Sequence, residues 1–98
     1  MDSRFLNVVV NGDSMWPTLK KGSTAKFERI DPNLVAVGQI VLLDHPFRPN
    51  LRIIKRVQSI EDSRLFLVGD NPDPTASEDS HNFGEVDVSS VIAVLVPQ

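Results

Sequence analysis

The 98-residue chain has no cysteine. Disulfide staples and thiolate chemistry are thereby excluded, and the redox state of its compartment leaves no mark on the sequence. No run approaches the roughly 20 apolar residues that a membrane-spanning helix needs. Phe5–Val10 is too short for a signal-peptide core and is interrupted by Asn7. A cytoplasmic location is therefore the expectation. A basic excess is missing as well: ten Lys and Arg stand against thirteen Asp and Glu, for a net charge of −3. That argues against a general nucleic-acid binder. There is no internal repeat, no low-complexity tract and no stretch of sustained helical period.

What is present is a pattern of short strands. The length predicts a single domain spanning residues 1–98, mainly β with little helix. Strands are predicted at Phe5–Val10, Thr24–Arg29, Gln39–Asp44, Leu51–Ile60, Leu65–Val68 and Val91–Val96. These runs are rich in Val, Ile, Leu and Phe and are punctuated by Gly, Pro, Asn and Asp. A short helical turn at Trp16–Lys20 is expected, because Pro17 suits the first turn of a helix. Asp44–Asn50 reads as a hairpin-like connection stiffened by two prolines. Gly69–Gly84 reads as a long ordered loop whose Asp, Ser, Asn and Pro build turns through side-chain hydrogen bonds. Charge is uneven: residues 1–60 hold nine Lys/Arg against five Asp/Glu, while residues 61–98 hold one against eight. The acidic part is either a solvated surface or a partner for the basic groups of the first part.

Two segments carry chemistry. In a strand over Leu51–Ile60, alternation puts Leu51, Ile53, Lys55 and Val57 on one side and Arg52, Ile54, Arg56 and Gln58 on the other. Lys55 thus shares its side with aliphatic residues. Burial disfavours the ammonium form and can bring a lysine into the range of a general base. Ser14 follows Gly12-Asp13 and precedes Met15-Trp16-Pro17. Gly12 can open a tight turn that presents the serine hydroxyl and aims the Ser14 amide at a developing oxyanion. Taken singly, a strand lysine more often snorkels to water and a loop serine is more often only a turn residue. Together each supplies what the other lacks, since serine needs a base to become a nucleophile. A Ser/His/Asp triad drawn from Ser14, His45 or His81, and Asp70 or Asp79 has no nucleophile-elbow motif behind it. Metal binding through the two histidines lacks ligand-pair spacing.

These residues resemble a known family. Gly12-Asp13-Ser14-Met15-Trp16-Pro17-Thr18-Leu19 is similar to the nucleophile box of type I signal peptidases (here residues 11–19). Ile54-Lys55-Arg56-Val57 resembles their lysine box (53–57). Val68-Gly69-Asp70-Asn71 with the later Ser77-Glu78-Asp79-Ser80 resembles their third box (68–81). The resemblance implies a β-rich catalytic domain of the signal-peptidase and self-cleaving-repressor type. It implies Ser14 as nucleophile, Lys55 as general base, and Gly12, Asp13 and Ser14 forming the oxyanion turn. It further implies Ser77 orienting the lysine amine, and Asp70, Asn71, Asp79 and Ser80 shaping the third box. Met15, Trp16 and Pro17 are candidates for a substrate pocket, with membrane contact at most peripheral. Relatives that carry a serine two residues before the nucleophile use it as a second oxyanion donor; here that position is Gly12. His81 stands where the family has arginine. Neither a cofactor nor a metal is implied.

The short form with a Gly-Asp-Asn-Pro box resembles the nickel-type superoxide dismutase maturation proteases. The partner implied is an extended peptide segment of a precursor, most specifically the nickel superoxide dismutase proenzyme. Two other functions stay open: a self-cleaving regulatory domain of the DNA-damage repressor type, and a non-catalytic peptide-binding module. Ten residues precede Asn11, which leaves little room for an internal cleavage site. Asp79 poses an electrostatic conflict, because a carboxylate near Lys55 opposes its role as a base. His81 and Arg56 are candidates to neutralise it.

Overall fold

A computed structural model describes residues 3–97. Seven strands form one antiparallel sheet: β1 (Phe5–Val9), β2 (Thr24–Glu28), β3 (Ile40–His45), β4 (Arg48–Glu61), β5 (Arg64–Val68), β6 (Val86–Asp87) and β7 (Val91–Leu95). Their order across the sheet is β1-β2-β7-β3-β4-β5-β6. The one α-helix among the described residues is the four-residue α1 (Ser80–Phe83). The architecture is mainly β with little helix, as expected from the sequence.

The sheet is covered on both faces, which is why β3 reads as a continuous apolar run. Val41 and Leu43 enter one cluster with Val57, Leu65, Leu67 and Phe83. Ile40 and Leu42 enter the other with Val10, Met15, Phe27 and Ala93. Alternation sends successive side chains to opposite faces, so a strand buried on both sides shows no polar period. Each buried Leu or Phe contributes roughly 1.5–3 kcal/mol. The strand ladder around Lys55 is therefore a rigid support.

Three expectations change. Trp16–Lys20 is not a helix: residues 14–18 form turns, the Trp16–Pro17 bond is cis, and one bond from Leu19 N to Met15 O is the extent of helical geometry. Thr18 and, just ahead of the segment, Asp13 are tied sideways to the residues after β5. The β3–β4 connection is shorter than Asp44–Asn50, since β4 begins at Arg48 and includes Pro49. Proline is tolerated there because β5 pairs with β4 only from Arg56 onward, leaving the edge before it without a partner strand among the described residues. Finally, the 69–84 segment carries two elements of its own, a 3-10 turn at Pro74–Ala76 and helix α1, each started by an aspartate cap. Among the described residues no helix is long and apolar enough to cross a membrane.

Candidate active site

Lys55 lies in β4, one residue before the stretch that pairs with β5. It is only 3% exposed. Its Nζ donates to Ser77 Oγ at 2.9 Å. Burial pushes the amine below the ordinary lysine value, while the Asp79 and Glu78 carboxylates pull it back up. Desolvation is the larger effect, so the proton affinity of the amine is lowered on balance despite Asp79.

Asp79 is in contact with His81, whose Nδ1 lies 2.9 Å from Asp79 Oδ1. Arg56 does not serve it. Arg56 projects from the opposite face of β4 and forks onto Asp70, with Nε at 2.8 Å and Nη2 at 2.7 Å from its two oxygens. That guanidinium holds the Asp70 carboxyl below the usual carboxylate range, with Thr18 helping and burial opposing. Thr18 Oγ1 donates to Asp70 Oδ2 at 2.6 Å, which joins the nucleophile box to the lysine box through one carboxylate.

Ser14 is half-buried in the turn between β1 and β2. Its carbonyl accepts from Asn71 N at 2.9 Å, and the Asp13 carbonyl accepts from Asn71 Nδ2 at 2.8 Å. Among the described residues the Ser14 N–H donates to no protein acceptor, which leaves it available to an oxyanion. Gly69 explains how closely these parts meet. A Cβ at Gly69 would lie 2.6 Å from the Ser14 carbonyl oxygen and 2.7 Å from Ser77 Oγ. Only a residue without a side chain lets the serine turn, Ser77 and hence Lys55 converge on that point.

Gly12 behaves otherwise than expected. Its φ is not positive, and nothing lies within 4 Å of a Cβ placed there. The turn does not need glycine for its backbone, and the position has room for a side chain. Ser80, also of the third box, is buried and accepts from Leu67 N at 2.8 Å, tying α1 to β5.

A groove of about 510 Å³ runs beside these groups. It is lined by Asn7–Gly12, Ser14, Met15, Leu42 and Leu51–Lys55, so Ser14 and Lys55 share its wall, without a direct hydrogen bond between them among the described residues. Met15 belongs to both the wall and the core, whereas Trp16 and Pro17 are exposed and outside the lining. The histidines also lie outside it. His45 and His81 each contact a carboxylate, Glu78 and Asp79 respectively. Among the described residues no cluster of three or more His, Asp or Glu could hold a metal ion.

Residues 2–93 match the family described as Peptidase S24-like. The chain belongs to that family. Membership makes it a serine-type endopeptidase of the Ser–Lys dyad class. No curated protein matches the chain. Sequence reasoning missed Gly69 as a contact point, the Thr18–Asp70 link and the His45–Glu78 pair. Gly69 had a signal in its Gly-Asp-Asn run; the other two join residues 52 and 33 positions apart and had none.

Proposed function

We propose that Ser14 is the nucleophile and Lys55 the general base of an endopeptidase that cuts an extended peptide seated between β1 and β4. The observation that carries this reading is the close approach of the Ser14 turn, Gly69, Ser77 and a desolvated Lys55, with Ser14 and Lys55 both lining an open groove. Two strand edges border that groove: the outer edge of β1, which among the described residues pairs only with β2, and β4 before Arg56. An extended peptide can hydrogen-bond to such edges through its main chain, leaving selectivity to the apolar walls.

In the first step neutral Lys55 takes the Ser14 Oγ proton while the oxygen bonds to the scissile carbonyl carbon. The Ser14 N–H donates to the resulting oxyanion. The lysine ammonium then protonates the leaving amine, and the ester forms. A water deprotonated by Lys55 cleaves that ester, and the proton returns to Ser14 Oγ. Ser77 accepts one amine hydrogen throughout and fixes the lysine rotamer.

As substrate, the family match favours a segment of the protein's own polypeptide, as in self-cleaving regulatory domains. The nickel superoxide dismutase precursor is the second reading, carried by the Gly69-Asp70-Asn71-Pro72 box. Intact-mass analysis of the purified chain at pH 7 and pH 9, over a range of dilutions and with Ser14→Ala beside it, tests the choice. One defined cut in the wild type only, at a dilution-independent rate, is the expected result. A stable chain that instead trims the added precursor reverses the choice of substrate and keeps the dyad. A chain that cuts neither, and whose Ser14 resists an acylating serine probe, removes the dyad.

A further inference from the structure

The chain has two histidines, and each contacts one of the two carboxylates that follow Ser77. His81 is exposed and contacts Asp79, which also caps α1. His45 is different: it ends β3, is 4% exposed, and packs its ring edge-on against Phe83 at 5.2 Å. Its Nδ1 accepts from Phe47 N at 3.1 Å. The ring proton of the neutral imidazole is therefore on Nε2, where it donates to Glu78 Oε1. Both ring nitrogens are committed, and the side chain is buried.

We propose that His45 is a positioning residue: its Nε2–H holds the Glu78 carboxylate in place and keeps it from closing onto the Lys55 amine. This rests on Lys55 being the base. Glu78 follows directly on Ser77, the hydrogen-bond partner of Lys55. The charged groups acting on Lys55 are Asp79 and Glu78. Those around Glu78 are His45, Arg48 and Lys55. Asp44, next to His45 in β3, is turned to Arg52 at 3.7 Å. Without His45, Glu78 keeps only Arg48, which stands 3.9 Å away with a side chain 64% exposed. An exposed pair of that kind is a weak tether. A freed glutamate one residue from Ser77 gains more from the buried ammonium. A carboxylate bound to Lys55 stabilises its protonated form and takes the base out of action at neutral pH.

The test reads Lys55 directly by titrating its Cε and Hε resonances in the full chain. His45→Leu moves the Lys55 titration to higher pH. His45→Gln, which keeps an N–H donor near the Nε2 position, leaves it close to wild type. Glu78→Gln moves it to lower pH, and the His45→Leu/Glu78→Gln double variant loses the upward shift. If His45→Leu does not fold, the Glu78→Gln and His45→Gln titrations decide. A folded His45→Leu with an unmoved Lys55, an upward shift that survives in the double variant, or a Glu78→Gln without effect overturns the proposal. A wild-type Lys55 that titrates like an ordinary surface lysine sinks the base itself, and the two failures are distinguishable because only the latter appears without any substitution.

Discussion

The two halves of the segment from Gly69 to Gly84 hold the proposed nucleophile Ser14 and the proposed base Lys55 in different ways. The first half, through Asn71 and Gly69, grips the main chain of Asp13 and Ser14 by close approach and by neutral hydrogen bonds. The second half, through Ser77, Glu78 and Asp79, surrounds the Lys55 amine with a hydroxyl and two carboxylates. One half fixes where the serine is; the other sets how tightly the lysine holds a proton. Damage to the first half should lower the rate at every pH. Damage to the second should move the pH at which the enzyme works.

The strongest way to break this contrast is Lys55→Met. Cleavage falls by about 10³-fold or more, in line with the loss of a general base. Stability does not fall with it. The folded amine has a depressed proton affinity, so between its depressed value and the ordinary 10.5 the folded chain binds fewer protons than the unfolded chain. Stability of the wild type therefore rises with pH across that window. Urea unfolding should find Lys55→Met more stable than wild type at pH 7, with the gap closing as the pH approaches 10.5. A gap that is constant with pH would mean that Lys55 is not desolvated by the fold.

Gly69→Ala tests the first half. The added methyl meets a carbonyl oxygen of the main chain at 2.6 Å, and that atom cannot swing aside as a side-chain end can. Overpacking of this kind costs about 1–3 kcal/mol. The rate should drop by about tenfold or more, since misplacing reacting atoms by an ångström is expensive. The midpoint of the pH–rate profile should stay where it was. Asp70→Asn is milder. It removes a charge-assisted bond network to Arg56 and Thr18, worth about 2 kcal/mol. Because the folded Asp70 carboxyl is depressed, that contribution is present above the ordinary carboxylate range and is lost as pH falls through the depressed value. Thermal unfolding at pH 7 and pH 3 should show the difference between variant and wild type shrinking at the lower pH.

The same contrast separates what was legible in the sequence from what was not. Lys55 could be placed on the buried side of β4 by alternation alone, since Ile53 and Val57 flank it at the same parity. The strand cores were legible for the same reason. The start of β4 was not, because Pro49 reads as a loop residue until the edge it occupies proves to be unpaired. Helix α1 was hidden because four residues give no period to detect. Gly12 looked like the glycine that the serine turn requires, yet Gly69 is the one in close contact. A tight turn is local and can be guessed from its own residues. A close approach between chain segments far apart in sequence cannot.

Asp79→Asn gives the smallest effect and the sharpest test of the second half. Asparagine caps a helix about as well as aspartate, so α1 should survive and stability should change by no more than a few tenths of a kcal/mol. The carboxylate charge, however, is gone. Asp79 raises the proton affinity of Lys55, so its removal lets desolvation act with less opposition. The acidic limb of the pH–rate profile should move to lower pH, with the plateau rate little changed. His81 then loses its carboxylate partner, and because its side chain is 69% exposed the loss is solvated at little cost. A plateau that falls while the limb stays put would place Asp79 among the groups that fix geometry, and the division between the two halves of the segment would fail at that residue.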